Sequence, residues 1–227
     1  MNKTVSYKYF DIITGFFVAV VIISNIASSA KIVDMGFSIF GMRLAFDGGT
    51  LLFPLAYVMG DVITEVYGFK AARRVIWTGF SALALSALAL FVLRILPPEA
   101  TWEMETGSAA FNAVLGGMSA GGIVLASLSA YLVGKITNAK LLSKIKTWMK
   151  GRLFWVRAIV SSLFGELFDS MIFIFVASLT GIFPWEIFWS LVLTNYFLKC
   201  SIEVLVLPLT YAAVRFLKQK EGVDVYG

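Results

Sequence analysis

Residues 156–180 read VRAIVSSLFGELFDSMIFIFVASLT. At 1.5 Å of rise per residue, an apolar helix of this length crosses the roughly 30 Å hydrocarbon core of a bilayer. Two carboxylates, Glu166 and Asp169, interrupt the run near its middle. They are three residues apart and so share one face of a helix. Similar apolar runs recur on both sides, too long and too unbroken for the core of a protein folded in water. Of 227 residues, 59% are hydrophobic and 15% charged, against roughly 45–50% and 25% in soluble domains. The chain reads as an all-α integral membrane protein, a single transmembrane domain over residues 1–227. Six transmembrane helices are expected, at Phe10–Ala30, Thr50–Tyr67, Ile76–Leu96, Phe111–Val133, Val156–Thr180 and Phe188–Phe216. The start, MNKTVSYKYFD, lacks a small-residue cleavage site, so the first run is expected to be a retained span.

Basic residues orient the spans. With the N-terminus inside, the cytoplasmic set is Lys3, Lys8, Lys70, Arg73, Arg74, Lys135, Lys140, Lys144, Lys146, Lys150, Arg152, Arg157, Arg215, Lys218 and Lys220. The outer set is Lys31, Arg43 and Arg94, and the loop PPEATWEMETG carries only acids. Every crossing obeys the positive-inside rule, with both termini cytoplasmic. Trp77, Trp102, Trp148, Trp155, Trp185 and Trp189 fall near span ends, as an aromatic belt requires. The net charge of +5 is thus an orientation signal, and no nucleic-acid partner is implied. Membrane lipid is the expected surrounding.

The absence of His excludes His-based triads and most zinc or haem ligation. Cys200 is the only cysteine, which excludes a disulfide framework or a thiolate metal site. No metal and no cofactor are expected. No GxxxxGK[ST] occurs, so any ATP coupling must come from another chain.

Between the spans, Lys31–Gly49 is too short to cross. The alternation in GFSIFGMRLAFDGG suggests an outer hairpin or re-entrant loop. The basic stretch around Thr137–Arg152 suggests a short surface helix on anionic lipid. Gly117 and Gly121 have GxxxG spacing, which close helix packing explains. Pro54, inside the second span, is expected to free a backbone carbonyl and kink the helix.

An ionisable side chain inside a bilayer costs at least a few kcal/mol and is functional by default. The set here is Asp61, Glu65, Glu166, Asp169, Lys199 and Glu203, with Asn25 and Asn195 as polar companions. Glu166 lies roughly 15 Å from the inner end of its span, at the depth where transporters bind solutes. Asn195, Lys199 and Glu203 form a stripe at i, i+4 and i+8 on the last span. Lys199 can neutralise Glu203 or reach across to Glu166 or Asp169. One cation against three carboxylates makes an acidic cavity, suited to a cationic solute or to a planar donor edge held by a carboxylate. Phe164, Phe168, Phe173, Phe175, Tyr196 and Phe197 flank these acids, so a ring could stack there. Asp61 and Glu65 precede a basic turn with Arg73 and Arg74. The four are expected to form a gate or an ion-pair cluster, with a plain orientation signal as the alternative. The pocket is expected between the first, fifth and sixth spans.

Three strings in order, FPLAYVMGDVITEVYGFKAARRVIW (53–77), SSLFGELFDSMIFIFVASLTG (161–181) and NYFLKCSIEVLVLPLTY (195–211), resemble the queuosine precursor transporters, also called vitamin-uptake-type transporters. The resemblance covers nearly the whole chain. It implies a bacterial inner-membrane importer of the 7-deazapurine precursors 7-cyano- and 7-aminomethyl-7-deazaguanine. It also implies a six-helix fold similar to the substrate-binding subunits of energy-coupling-factor transporters. By similarity, base recognition falls to Glu166 and Asp169, with Asn195, Lys199, Glu203 and Asn25 lining the cavity. Two other readings compete: a binding subunit of an energy-coupling-factor complex, and an intramembrane carboxylate enzyme. The enzyme is disfavoured, because Glu166 and Asp169 lie on one helix whereas a proteolytic dyad needs facing groups. A homo-oligomer is left open.

Overall fold

A computed structural model describes residues 7–39, 42–119, 121–181 and 184–226; Lys3 of the basic set lies outside them. Helix α1 spans Phe10–Ala30. Strands β1 (Ile32–Ile39) and β2 (Met42–Asp47) then pair antiparallel, from Ile32 opposite Asp47 to Ile39 opposite Met42. Of the two expectations for Lys31–Gly49, the pairing is that of a hairpin. Helix α2 spans Phe53–Ile95, α3 Ala100–Glu105, α4 Gly107–Ser119, α5 Gly121–Trp148, α6 Phe154–Leu179 and α7 Phe188–Glu221.

Among the described residues, five helical stretches are long and apolar enough to cross a membrane: α1, α2, α4 with α5, α6 and α7. The expected second and third spans are both contained in α2. Its 43 residues correspond to roughly 65 Å of ideal helix, twice a bilayer core. The helix is broken at Gly68, where φ is 83° and ψ 170°, a conformation that only glycine adopts readily. Gly68, and not Pro54, makes the break. Pro54 sits in the first turn of α2, where its missing N–H has no helical partner to lose.

The polarity of the bundle is reversed relative to a water-soluble protein. Phe16, Leu85, Leu205 and all six tryptophans are exposed, while Glu65, Lys146, Arg157 and Glu166 are buried. Lipid can cover the first set but cannot solvate the second. The stretch after Thr137 differs from the surface helix expected of it. It continues α5 without interruption to Trp148, and Asn138, Leu142, Ser143 and Lys146 are buried. Lys135, Lys146 and Arg157, assigned from sequence to the cytoplasmic basic set, are likewise buried.

Helices α5 and α6 cross through two glycines. A Cβ on Gly134 would lie 2.8 Å from Asp169 Cβ, and one on Gly165 would lie 2.8 Å from Asn138 Cβ. This reciprocal contact replaces the expected GxxxG face. Gly117 does pack, against Ser29 of α1, but a Cβ on Gly121 would meet nothing within 4 Å. Gly165→Ala should therefore destabilise by about 2 kcal/mol through overpacking, lowering the melting temperature in detergent by about 4–8 °C. Gly121→Ala should leave it unchanged.

Candidate functional site

The first section of α2 carries Phe53, Tyr57, Asp61 and Glu65 at intervals of four, one stripe along a helix. Asp61 and Glu65 are buried with Tyr57, so lipid is not what they face. Each of the four meets charged or polar groups from α5, α6 or α7. The result is three layers stacked along the bundle, named outer to inner from the start of α2 towards Gly68.

In the outermost layer, Lys199 Nζ pairs with Asp169 Oδ2 and lies 3.6 Å from Glu166 Oε2. It also sits 5.2 Å from the centre of the Phe53 ring. The Tyr57 hydroxyl donates to Glu166, while the face of its ring meets Lys135 Nζ at 3.0 Å from the centroid. An ammonium over an aromatic face is attracted by the ring quadrupole, the more so when both are dry. Lys135 is here because the close approach at Gly134 and Gly165 brings α5 against α6. Among the described residues, Lys135 Nζ, Glu166 Oε2 and Ser170 Oγ are buried without a hydrogen bond.

One turn inward, Asn138 Nδ2 donates to Asp61 Oδ1 at 2.9 Å. Across from it, Ser162 Oγ donates to Glu203 Oε1. Asp61, Ser162, Cys200 and Glu203 line a narrow crevice between α2, α6 and α7.

The innermost layer is an ion-pair cluster on Glu65. Its Oε1 accepts from Arg157 NH2 at 2.7 Å and from Lys218 Nζ at 2.6 Å, with Lys146 Nζ at 3.6 Å. Lys146 Nζ also donates to the carbonyls of Glu65 and Val225, at 2.5 and 2.8 Å, and to Asp224. The tail after α7 is drawn in with it: Val225 N donates to Val66 O at 3.1 Å, beside the break at Gly68. Glu221 meanwhile accepts from the backbone N–H groups of Lys8 and Tyr9 and from the Tyr67 hydroxyl. The two ends of the chain therefore meet beside the inner layer. Partial burial alone would raise the Asp224 carboxyl, but hydrogen bonds from Lys146 and Lys218 outweigh it and hold it below the usual carboxylate range.

The residues picked from sequence are distributed unevenly over these layers. Glu166, Asp169 and Lys199 come together, while Glu203 lies one layer further in. Asp61 and Glu65 belong to different layers. Arg73 and Arg74 are exposed, and the cations on Glu65 are Arg157, Lys146 and Lys218 instead. Asn25 and Asn195 donate to the carbonyls of Val21 and Leu191 in their own helices. Helix α5, and not α1, completes the enclosure of the acids. Sequence reasoning passed over Tyr57, Lys135, Asn138, Arg157 and Lys146. The four-residue stripe ending at Asp61 and Glu65 pointed to Tyr57. Lys135 and Asn138, three apart on one face, were obscured because basic residues near a span end read first as topology signals.

A family model described as "Putative vitamin uptake transporter" matches residues 47–213. Among curated proteins, the chain is 27% identical over 174 residues to a "Probable queuosine precursor transporter" of Bacillus subtilis, covering 76% of this chain and 73% of that one. It is 27% identical over 152 residues to the "Queuosine precursor transporter" of Escherichia coli, covering 67% and 63% respectively. It is 26% identical over 172 residues to a "Probable queuosine precursor transporter" of Haemophilus influenzae, covering 73% and 67%. No solved structure matches the chain.

Two outcomes follow from the inner layer. Glu65→Gln should leave the buried Arg157 without its counter-charge and cost about 3–5 kcal/mol, read as lost thermal stability in detergent. Because the folded Asp224 carboxyl is held low, its contribution is complete above its unfolded pKa and is lost as pH falls through the folded one. A spin label at position 226 should therefore gain mobility only in acid, and Asp224→Asn should abolish that pH dependence.

Proposed function

We propose, since the chain belongs to the family described as "Putative vitamin uptake transporter", that it is a multi-pass carrier of the bacterial cytoplasmic membrane importing queuosine precursors. The printed names of its relatives support that substrate class. The observation that carries the reading is the outer layer. A buried carboxylate, Glu166, and a half-buried one, Asp169, stand beside a phenol, an aromatic ring and two ammonium groups, at a depth in the bundle that lipid cannot solvate. A deazaguanine presents N–H donors along one edge, which a carboxylate accepts in pairs. Its fused rings offer a face to Phe53 or Tyr57.

In this reading Glu166 and Asp169 accept from the base, and Lys199 holds their charge until the solute arrives. Lys135 and Tyr57 form the floor of the site. Asn195, one turn outward from Lys199, lines the entrance with Asn25. The solute is 7-cyano- or 7-aminomethyl-7-deazaguanine, and it passes unchanged, by carriage rather than catalysis. The single domain makes six crossings. The break at Gly68 divides α2 into two of them, and the meeting of Tyr9 with Glu221 favours an even number. Positive charge along Lys70–Arg74 and Lys140–Arg152 favours a cytoplasmic location for both ends.

The test uses a bacterium unable to make queuosine and lacking its own importer. With this protein in the membrane, feeding one or other deazaguanine should restore queuosine in tRNA. If neither does so, the substrate assignment is wrong. Glu166→Gln keeps the size of the side chain but loses a charge-assisted hydrogen bond worth about 1.5–3 kcal/mol. It should raise the precursor concentration needed for half-maximal rescue by about 10- to 100-fold.

A further inference from the structure

In two layers of the bundle every carboxylate is met by at least one cation, and in the third neither is. In the outer layer, Glu166 and Asp169 face two ammonium groups, Lys135 and Lys199. In the inner layer, Glu65 and Asp224 are met by Arg157, Lys146 and Lys218. Between them, among the described residues, Asp61 and Glu203 have only neutral donors in direct contact, the amide of Asn138 and the hydroxyl of Ser162.

The charged groups acting on this pair come from every helix packed around it. Glu65 acts from one turn along α2, Lys135 from α5 and Glu166 from α6. On α7, Lys199 is four residues from Glu203 but pairs with Asp169. Lys135 acts on all four carboxylates at once, so it cannot neutralise the pair and the outer layer together. Two ionised carboxylates this deep repel one another and lack the solvation that would sustain both charges. A proton held by one of them removes that cost.

Two further observations point to the same place. Glu203 Oε2 and Asn138 Oδ1 are buried acceptors without a hydrogen bond among the described residues, and Asn138 is only 3% exposed. The crevice lined by Asp61, Ser162 and Glu203 runs on past Leu207 and Thr210, away from the outer layer.

From this geometry we infer that Asp61 and Glu203 are the proton-coupling site of the carrier. The pair takes up one proton from outside while solute occupies the outer layer and releases it to the cytoplasm when the solute leaves. The inference rests on the transport reading above, but Asp61 lies one layer away from the solute contacts proposed there.

The test is transport by the purified full chain in proteoliposomes, with labelled 7-cyano-7-deazaguanine, a neutral probe. Counterflow against unlabelled probe, at equal pH on both sides, reports exchange alone. An inside-alkaline gradient of one pH unit should then drive accumulation approaching about tenfold at one proton per solute. Asp61→Asn keeps the acceptor that Asn138 needs. It should exchange within about twofold of the wild-type rate yet accumulate nothing above equilibrium, and Glu203→Gln should likewise lose the accumulation. Wild-type exchange with no response to the pH gradient, or accumulation driven by sodium instead, would overturn the inference and leave the transport reading intact. Undiminished pH-driven accumulation in both variants would also overturn it. No exchange by the wild type would overturn the transport reading and this inference with it.

Discussion

Glu65 is completely buried, and Arg157, Lys218 and Lys146 converge on it from three different helices. Lipid could not solvate any of these charges, so each helix end is located by where its charge must go. The cluster closes one end of the bundle, draws in the tail through Asp224 and Val225, and stands beside the break in α2 at Gly68. Removing one partner leaves the others buried and uncompensated, which is why such a cluster specifies position even where its net contribution to stability is small.

The second constraint is distance. Without a hydrophobic drive between helices in lipid, close approach depends on small residues and polar contacts. Gly134 and Gly165 let the α5 and α6 backbones meet, and that contact delivers Lys135 and Asn138 to the carboxylates of α6 and α2. The layers are thus coupled through one crossing. A helix displaced there would uncover Glu166 and withdraw the donor on Asp61 together.

In the proposed carrier the layers would also separate tasks by charge. A balanced layer can exchange a neutral planar solute without changing the charge buried in the bundle. A layer of unmatched carboxylates responds to protons. Placing one above the other allows a single movement of α2 against α6 and α7 to alter both.

Sequence alone determined that the chain lives in a membrane, where its apolar helices begin, and which acids lie inside them, though α5 runs 15 residues past the expected Val133 and two expected spans fall in the one helix α2. Those conclusions depend on local composition and on spacing along one helix, which any reader of the residues can count. Glu166 with Asp169, and Lys199 reaching across to them, were legible in this way. Partners contributed by other helices were not. Nothing in the string around Lys135 separates a cation held over the Tyr57 ring from one lying on lipid headgroups, and Arg73 and Arg74 looked as good for Glu65 as Arg157, 92 residues away. Only the tertiary structure decided these pairings, because they depend on which helices cross closely. That in turn is set by two glycines whose meaning appears only when their backbones touch.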